Sequence, residues 1–446
     1  MKFGGTSVGD VAAFERVFRI VSAQIDKKPV IVVSAMTKVT DALLNAFEIA
    51  KKGEIENAIL SLDEHFERHQ AVSFNLLGEV QQKLFQIELD FANKELSELL
   101  MRVSRRSLPL SMLKDAIVSY GEQLSSRLLA EVLKSKDINA RQMESRRLIV
   151  TDDEYGAAVP IWDETEKLIK IELESLIANG EVPILGGFIA ASRSGETTTL
   201  GRGGSDYSAA LVAAALRANE LQIWTDVTGV MTCDPRICGE ARTIPVLSYE
   251  EAAELAYFGA KVLHPKTIKP AVDYAIPVRV CNTFEPEIVG TMVLSESGEA
   301  PNKIKSIAHK KNITILRISS ARMLGSYGFM SALFQVFERY RTVIDVISTS
   351  EVSVALTLDN TTSLEQVVNE LKRLGEVEVE PNYSVICVVG EGLRSSSGLA
   401  SKIFSTISDV NISLISHGAS SVNLTFVVKE DVAGEVIKRL HNEFFK

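Results

Sequence analysis

VPILGGFI at Val182–Ile189, SDYSAALVAAALRAN at Ser205–Asn219 and LQIWTDV at Leu221–Val227 read in turn as strand, Ala-rich helix and strand. The strand runs are short, continuous and apolar, the form of strands buried on both faces. Strands alternating with helices predict a mostly parallel sheet covered by helices, an α/β fold. Towards the amino end, Pro29–Ala35 (PVIVVSA) is a further run of this kind. Val11–Ile25 sets Phe14, Val17, Phe18 and Val21 on one helical stripe. From Lys52 to Arg105 the pattern is helical, and Ile117–Lys134 continues as helix. The region from about 52 to 115 is expected to be a helical excursion that covers or closes a site. Towards the carboxyl end, Pro277–Asn282 (PVRVCN) is expected to close the domain, and Ser295–Lys305 has the Gly, Pro, Ser and charge content of a linker.

Beyond the linker lies an internal repeat. Ile313–Leu358 and Ser384–Val428 share one scheme of strand, loop, Gly, helix, strand, strand. Gly328 corresponds to Gly398, Phe334 to Phe404, Phe337 to Ile407 and Val354 to Leu424, at an offset of about seventy residues. Two copies of a small βαββαβ-like unit fit a pair of regulatory modules better than an extension of the first sheet.

Composition narrows the function. At 446 residues the chain exceeds one ordinary core, so two or three domains are expected. A net charge of −10 argues against a broad phosphate-backbone surface, and no nucleic-acid partner is expected. The four cysteines do not make a disulfide framework. Cys233 and Cys238 have no second pair or neighbouring histidine in the sequence to complete a zinc site, so buried thiols and no metal-ligand set are expected. No apolar run reaches the ~18 residues that span a bilayer. The Gly-rich motif follows Met1 directly and leaves no room for a targeting segment, so a cytoplasmic protein without a membrane partner is expected.

Four stretches carry the chemistry. In Lys2-Phe3-Gly4-Gly5-Thr6-Ser7, two glycines let the backbone approach a charged oxygen, and the lysine adds a mobile positive charge. In Thr197–Asp206 (TTTLGRGGSD), an arginine between glycines precedes a Ser-Asp at the start of the Ala-rich helix. Unpaired amides at that helix start suit an anion, and Arg202 offers a two-pronged match to a carboxylate. Ser205 or Asp206 also suits an N-cap. WTDVTGV and Asp234-Pro235-Arg236 follow the strand at Leu221, in the position where α/β sheets hold ligands. Phe258–Pro265 (FGAKVLHP) places a lysine near a turn.

KFGGTSV at Lys2–Val8, VSYGEQLS at Val118–Ser125, TTTLGRGGSDY at Thr197–Tyr207, WTDVTGV with DPR within Trp224–Arg236, and FGAKVLHP at Phe258–Pro265 occur in one order. Together they resemble the signatures of the amino acid kinase superfamily, and of its aspartokinase branch in particular. The repeated C-terminal unit resembles that branch's tandem ACT domains. The resemblance covers essentially the whole chain. It implies an amino acid kinase-like sheet sandwiched by helices over residues 1–294, a linker over 295–311, and two α+β, ferredoxin-like ACT domains over 312–380 and 381–446. It also implies transfer of the ATP γ-phosphate to the β-carboxylate of L-aspartate, the first step towards lysine, threonine and methionine, with Mg2+ bridging the phosphates.

That acceptor needs no strong base, because its carboxylate is already ionised near neutral pH. Alignment and charge neutralisation are what the site must supply. By resemblance, Lys2 contacts the γ-phosphate with Gly4 and Gly5, and Asp206 orients the lysine. Thr40, Glu122, Arg202 and Ser205 hold aspartate, with Glu122 on its ammonium. Ser34, Thr225, Asp226, Met231, Arg236 and Lys261 line the ATP side. The competing readings are another amino acid kinase and a catalytically inactive amino-acid sensor on the same scaffold.

The first repeat is similar to the lysine-sensitive class. Met323, Ser326, Phe329, Met330, Val343, Asp345, Ser350 and Glu351 then form a lysine site at an ACT–ACT interface between subunits. This implies a homodimer inhibited by L-lysine.

Overall fold

The computed structural model describes residues 1–259, 262–296, 303–325 and 327–446. The chain forms two compact units, one of Met1–Gly229 with His264–Ser295, the other of Val230–Leu263 with Glu296–Lys446.

In the first unit the main sheet runs, side by side, through strands Ala140–Met143, Val182–Gly186, Ile31–Val33, Lys2–Phe3, Leu221–Thr225, Val278–Asn282 and Thr291–Leu294. Neighbours are parallel except the last pair. Ile31–Val33 and Val182–Gly186 are buried throughout, as continuous apolar runs in a sheet covered on both faces must be. Helix Val11–Ser22 starts where the Asp10 carboxylate accepts from the Ala13 amide at 2.8 Å, and its Phe14, Val17 and Val21 enter the core. Between residues 52 and 118 the chain forms helices Ile55–Leu60, Asp63–Leu76, Glu79–Arg105 and Leu110–Val118. The longest of them buries Phe85, Leu89, Ala92, Leu96, Leu100 and Val103 at three- and four-residue spacing against the same core.

The apolar run at Val182–Ile189 divides into two strands, Val182–Gly186 and Ile189–Ser192, the second lying in a small sheet with Val150–Thr151 and Thr197–Thr199. The break has a local cause. Phe188 holds a left-handed conformation (φ 67°), and its amide donates to Ser208 Oγ at 3.0 Å. A Cβ on Gly187 would lie 2.7 Å from Ser205 Cα, so only glycine permits this approach.

In the second unit, strands Ile347–Thr349, Ser353–Leu358, Ile304–Ser319, Glu376–Gly390, Asn423–Lys429 and Leu414–His417 form one six-stranded antiparallel sheet. Both repeats contribute to it. The two long strands, Ile304–Ser319 and Glu376–Gly390, pair with each other over most of their length. The repeat scheme is visible in backbone detail. Gly328 and Gly398 each cap a helix in the left-handed region, at φ 85° and 78°, where a β-carbon would be strained. Phe337 with Ile407, and Val354 with Leu424, are all buried. Helix Tyr249–Tyr257 in this unit opens with a reciprocal cap between Ser248 and Glu251. Glu251 also takes the buried ammonium of Lys305 at 3.0 Å. Among the described residues no helix is long and apolar enough to cross a membrane.

Candidate active site

Parallel register delivers several loops to one edge of the main sheet. Lys2–Phe3 lies beside Val32–Val33 and Ile223–Trp224, and Ile31–Val33 lies beside Ile184–Gly186. Gly4-Gly5, Ser34 and Gly187, which follow these strands, and Thr225, which ends its own, therefore meet at the sheet's carboxyl edge, where α/β proteins bind ligands.

Lys2 is buried, and its Nζ lies 2.8 Å from Asp206 Oδ1. That oxygen makes no aligned hydrogen bond, so the pair is a charge contact with hydrogen-bonding capacity left over. Asp206 stands in the first turn of helix Gly204–Ala215. The helix is capped by Gly203 at φ 73° and receives no side-chain cap, so neither Ser205 nor Asp206 is the N-cap that the sequence also allowed. The amides of the first turn are left without a side-chain acceptor, and an anion suits them. The preceding strand is clamped by Asp115, a buried carboxylate that accepts from the amides of Thr199 and Gly156 at 2.8 Å each.

Glu122 opens into the same space from helix Tyr120–Lys134. It is 3% exposed, and its Oε2 has no hydrogen-bond partner. Burial pushes its carboxyl up to about 8, against the weaker pull of the Ala35 and Glu122 backbone and of the Lys2 charge. A buried carboxylate with one oxygen unpartnered is costly to ionise unless a cation arrives to meet it.

These groups line one cavity of about 400 Å³. Of the residues expected from sequence, it gathers Lys2, Gly5, Ser34, Thr40, Glu122, Arg202, Ser205 and Asp206. It also includes Met36, Thr37, Lys38, Asp41 and Phe188, which the sequence reading did not single out. For Met36, Thr37, Lys38 and Asp41 the one available signal was adjacency to Thr40, since Lys38 (φ 67°) caps helix Val39–Lys51; Phe188 carried none. Thr37 is tied in place from two sides. Its hydroxyl donates to the Gly5 carbonyl at 2.8 Å, and Arg68 of the helical excursion donates to its carbonyl at 2.8 Å and to that of Gly9 at 2.7 Å.

Other expected residues stand apart from the cavity lining. Gly4 spends its N–H on the Trp224 carbonyl at 3.0 Å. Thr225 donates its hydroxyl to the Asp226 carboxylate at 3.2 Å. Met231 and Arg236 belong to the second unit, where Met231 Sδ accepts from Thr243 and Arg236 pairs with Asp234 at 2.7 Å. Lys261 lies outside the described residues.

The second unit has its own cavity of about 400 Å³, lined by Met323, Leu324, Gly325, Gly328, Phe329, Met330, Ser331, Ser350 and Glu351. Of the residues expected to hold an effector, Met323, Phe329, Met330, Ser350 and Glu351 meet there. Val343 is exposed and outside the lining, and Ser326 falls outside the described residues. Asp345 already holds an ammonium. Its Oδ1 accepts from Lys310 Nζ at 2.8 Å and from the Tyr257 hydroxyl at 2.5 Å, and its Oδ2 is buried and unpartnered.

A sequence profile of the amino acid kinase family matches residues 1–282, and one of an ACT domain matches residues 386–444. The chain is 36% identical over 457 residues to the lysine-sensitive aspartokinase 3 of Escherichia coli, covering 100% of this chain and 98% of that one. Its structure is similar to E. coli aspartokinase III in complex with aspartate and ADP (R-state), with a TM-score of 0.84, 36% identity, and coverage of 100% and 99%. It is also similar to the same enzyme in complex with lysine and aspartate (T-state), with a TM-score of 0.85, 35% identity, and coverage of 100% and 99%.

Proposed function

We propose how this site works from one premise: the chain belongs to the amino acid kinase family and, within it, to the aspartokinases. It transfers the γ-phosphoryl group of ATP to the β-carboxylate of L-aspartate. The observation that carries the residue assignments is the convergence on one cavity of Lys2, Arg202, Ser205 and Asp206 with the buried, partnerless oxygen of Glu122.

In this proposal Arg202, Ser205 and Thr40 hold the substrate's carboxylates, and Glu122 takes its ammonium. The attacking oxygen is then presented to the phosphoryl group without any proton having to leave it. Lys2 follows the charge that spreads over the γ-phosphate oxygens during transfer. Asp206 holds Lys2 in place by its contact at 2.8 Å. Gly4, its amide committed to Trp224, allows close approach, and the Gly5 N–H is the one offered to phosphate. Ser34, Thr225 and Asp226 complete the nucleotide side of the proposal within the first unit. Magnesium fits the donor set as a hard ion carried by the phosphates and water. No protein carboxylate is assigned to it, since Asp206 Oδ1 is already met by the Lys2 ammonium at 2.8 Å. The ion's chemistry would be to neutralise phosphate charge.

The C-terminal cavity is read as the L-lysine site. Glu351 receives the side-chain ammonium, while Met323, Phe329 and Met330 cover the alkyl stem. The first turn of helix Phe329–Arg339, capped by Gly328, takes the carboxylate. Asp345 has only its second oxygen to offer, and Ser326, Val343 and Ser350 complete the set. A cytoplasmic homodimer joined through its ACT domains belongs to the same proposal, with lysine favouring an inhibited state.

Aspartyl-hydroxamate formation with MgATP, comparing aspartate with glutamate and repeated with lysine, tests the reading. Product from aspartate alone, suppressed by millimolar lysine, is the expected result. ATP binding without product would point to an inactive sensor, and product unaffected by lysine would remove the effector assignment alone.

A further inference from the structure

Cys233 and Cys238 lack a histidine nearby in the sequence, but the fold supplies one. The two Sγ atoms and a ring nitrogen of His441 all lie within 4.8 Å of one another. All three residues are buried, at 3%, 6% and 4% exposure. The thiols flank a single tight turn, in which the amides of Ile237 and Cys238 donate to the Asp234 carbonyl at 2.9 and 3.0 Å. His441 arrives from the C-terminal helix Glu430–Phe445. Its ring stacks on Phe445 with centroids 4.8 Å apart, and its Nε2 lies 2.9 Å from Thr232 Oγ1. The ring is therefore positioned by packing and by a hydrogen bond before any ligand arrives, the support that metal-binding histidines need.

We propose that Cys233, Cys238 and His441 form a binding site for one thiophilic d¹⁰ cation, zinc(II) in the first instance. Two sulfurs and an imidazole nitrogen suit this ion by softness. A tetrahedral ion with Zn–S of ~2.3 Å and Zn–N of ~2.0 Å needs its ligand atoms about 3.5–3.8 Å apart, so displacements of about 1 Å close the set. On binding, each thiol gives up its proton to solvent. Two metal–sulfur bonds and one metal–nitrogen bond form, a water takes the fourth position, and no electron is transferred. The ion would join the turn after Val230 to the C-terminal helix, across 209 residues of sequence between Thr232 and His441. A disulfide between the two thiols is the rival outcome, and it would leave His441 without a role.

Cobalt(II), added to the reduced, chelator-treated full-length chain, is the probe. The expected result is one ion per chain with a thiolate-to-cobalt charge-transfer band in the near ultraviolet and tetrahedral bands in the visible, all lost on adding one equivalent of Zn2+. Cys238→Ser and His441→Gln should each lower Zn2+ affinity by about a hundredfold or more. Cys281→Ser and Cys387→Ser, at the other two buried thiols, should leave the bands intact. Should a ligand variant fail to fold, X-ray absorption on the unsubstituted zinc-loaded chain gives an independent reading, with two sulfurs at ~2.3 Å and one nitrogen at ~2.0 Å expected. A metal shell without sulfur, bands unchanged in Cys238→Ser, or a reduced chain that takes up no Co2+ and closes only into a disulfide would overturn the proposal.

Discussion

Glu122 titrates near neutrality, and its proposed partner demands the charged form. Burial holds its carboxyl at about 8 in the unliganded site, whereas its ordinary value is 4.5. Aspartate brings an ammonium, so binding from the protonated enzyme must first expel a proton. The ionised fraction is about one-half at pH 8, one-tenth at pH 7 and one-hundredth at pH 6. The kcat/KM for aspartate should therefore fall about fifty-fold between pH 8 and pH 6. At saturating aspartate kcat should be much flatter, because the bound ammonium keeps Glu122 ionised. Measuring ADP release at saturating MgATP and constant ionic strength reads both quantities. Glu122→Gln should lower kcat/KM and remove the slope, since nothing is left to titrate. Stability follows the same shift with a definite sign. Folded Glu122 binds its proton more tightly than unfolded Glu122, so its contribution is fully present below about pH 4.5 and is lost as pH rises through about 8. The melting temperature of Glu122→Gln should accordingly gain on the unsubstituted chain across that window. A flat kcat/KM between pH 6 and 8, or a slope that survives in Glu122→Gln, would refute the pairing of this carboxylate with the substrate ammonium.

Lys2→Ala should cut kcat by roughly a hundredfold or more with little change in aspartate KM, the pattern of a lost transition-state charge contact. Arg202→Ala should chiefly raise aspartate KM, because it grips the ground state. Equal and small effects in steady-state assays of both variants would show that the site is misplaced. In the regulatory unit, Glu251→Ala removes the carboxylate that meets the ammonium of Lys305, only 2% exposed, at 3.0 Å and leaves that charge to weaker contacts such as the Val246 carbonyl at 3.3 Å. A loss of ~3–5 kcal/mol is expected by denaturant titration; a loss under about 1 kcal/mol would mean that the pair carries little weight.

Much of the architecture was written locally. Apolar runs such as Pro29–Ala35 and Leu221–Val227 needed only their composition to announce buried strands. The glycines at 328 and 398 marked two helix starts because a left-handed cap admits little else. Lys2, Arg202, Ser205 and Asp206 were legible because an anion site needs glycines, cations and a helix start close together in the chain. Met36, Thr37 and Lys38 escaped notice. Ordinary residue types disclose a binding role only when a neighbour such as Arg68 pins their backbone against the site.

By itself, then, the amino-acid sequence determined the alternation of strand and helix, the C-terminal repeat and the motifs around the phosphate end, all properties that a short window of chain can encode. Only the tertiary structure decided that Val182–Ile189 would break at Phe188, where Gly187 must pass against Ser205. It alone merged the two repeats into one six-stranded sheet through their long strands. It also buried Glu122 with one oxygen unpartnered and brought His441 to two distant cysteines. Each of these depends on which surfaces pack together over long sequence separations. Burial and desolvation are properties of that packing, not of the residues that undergo it.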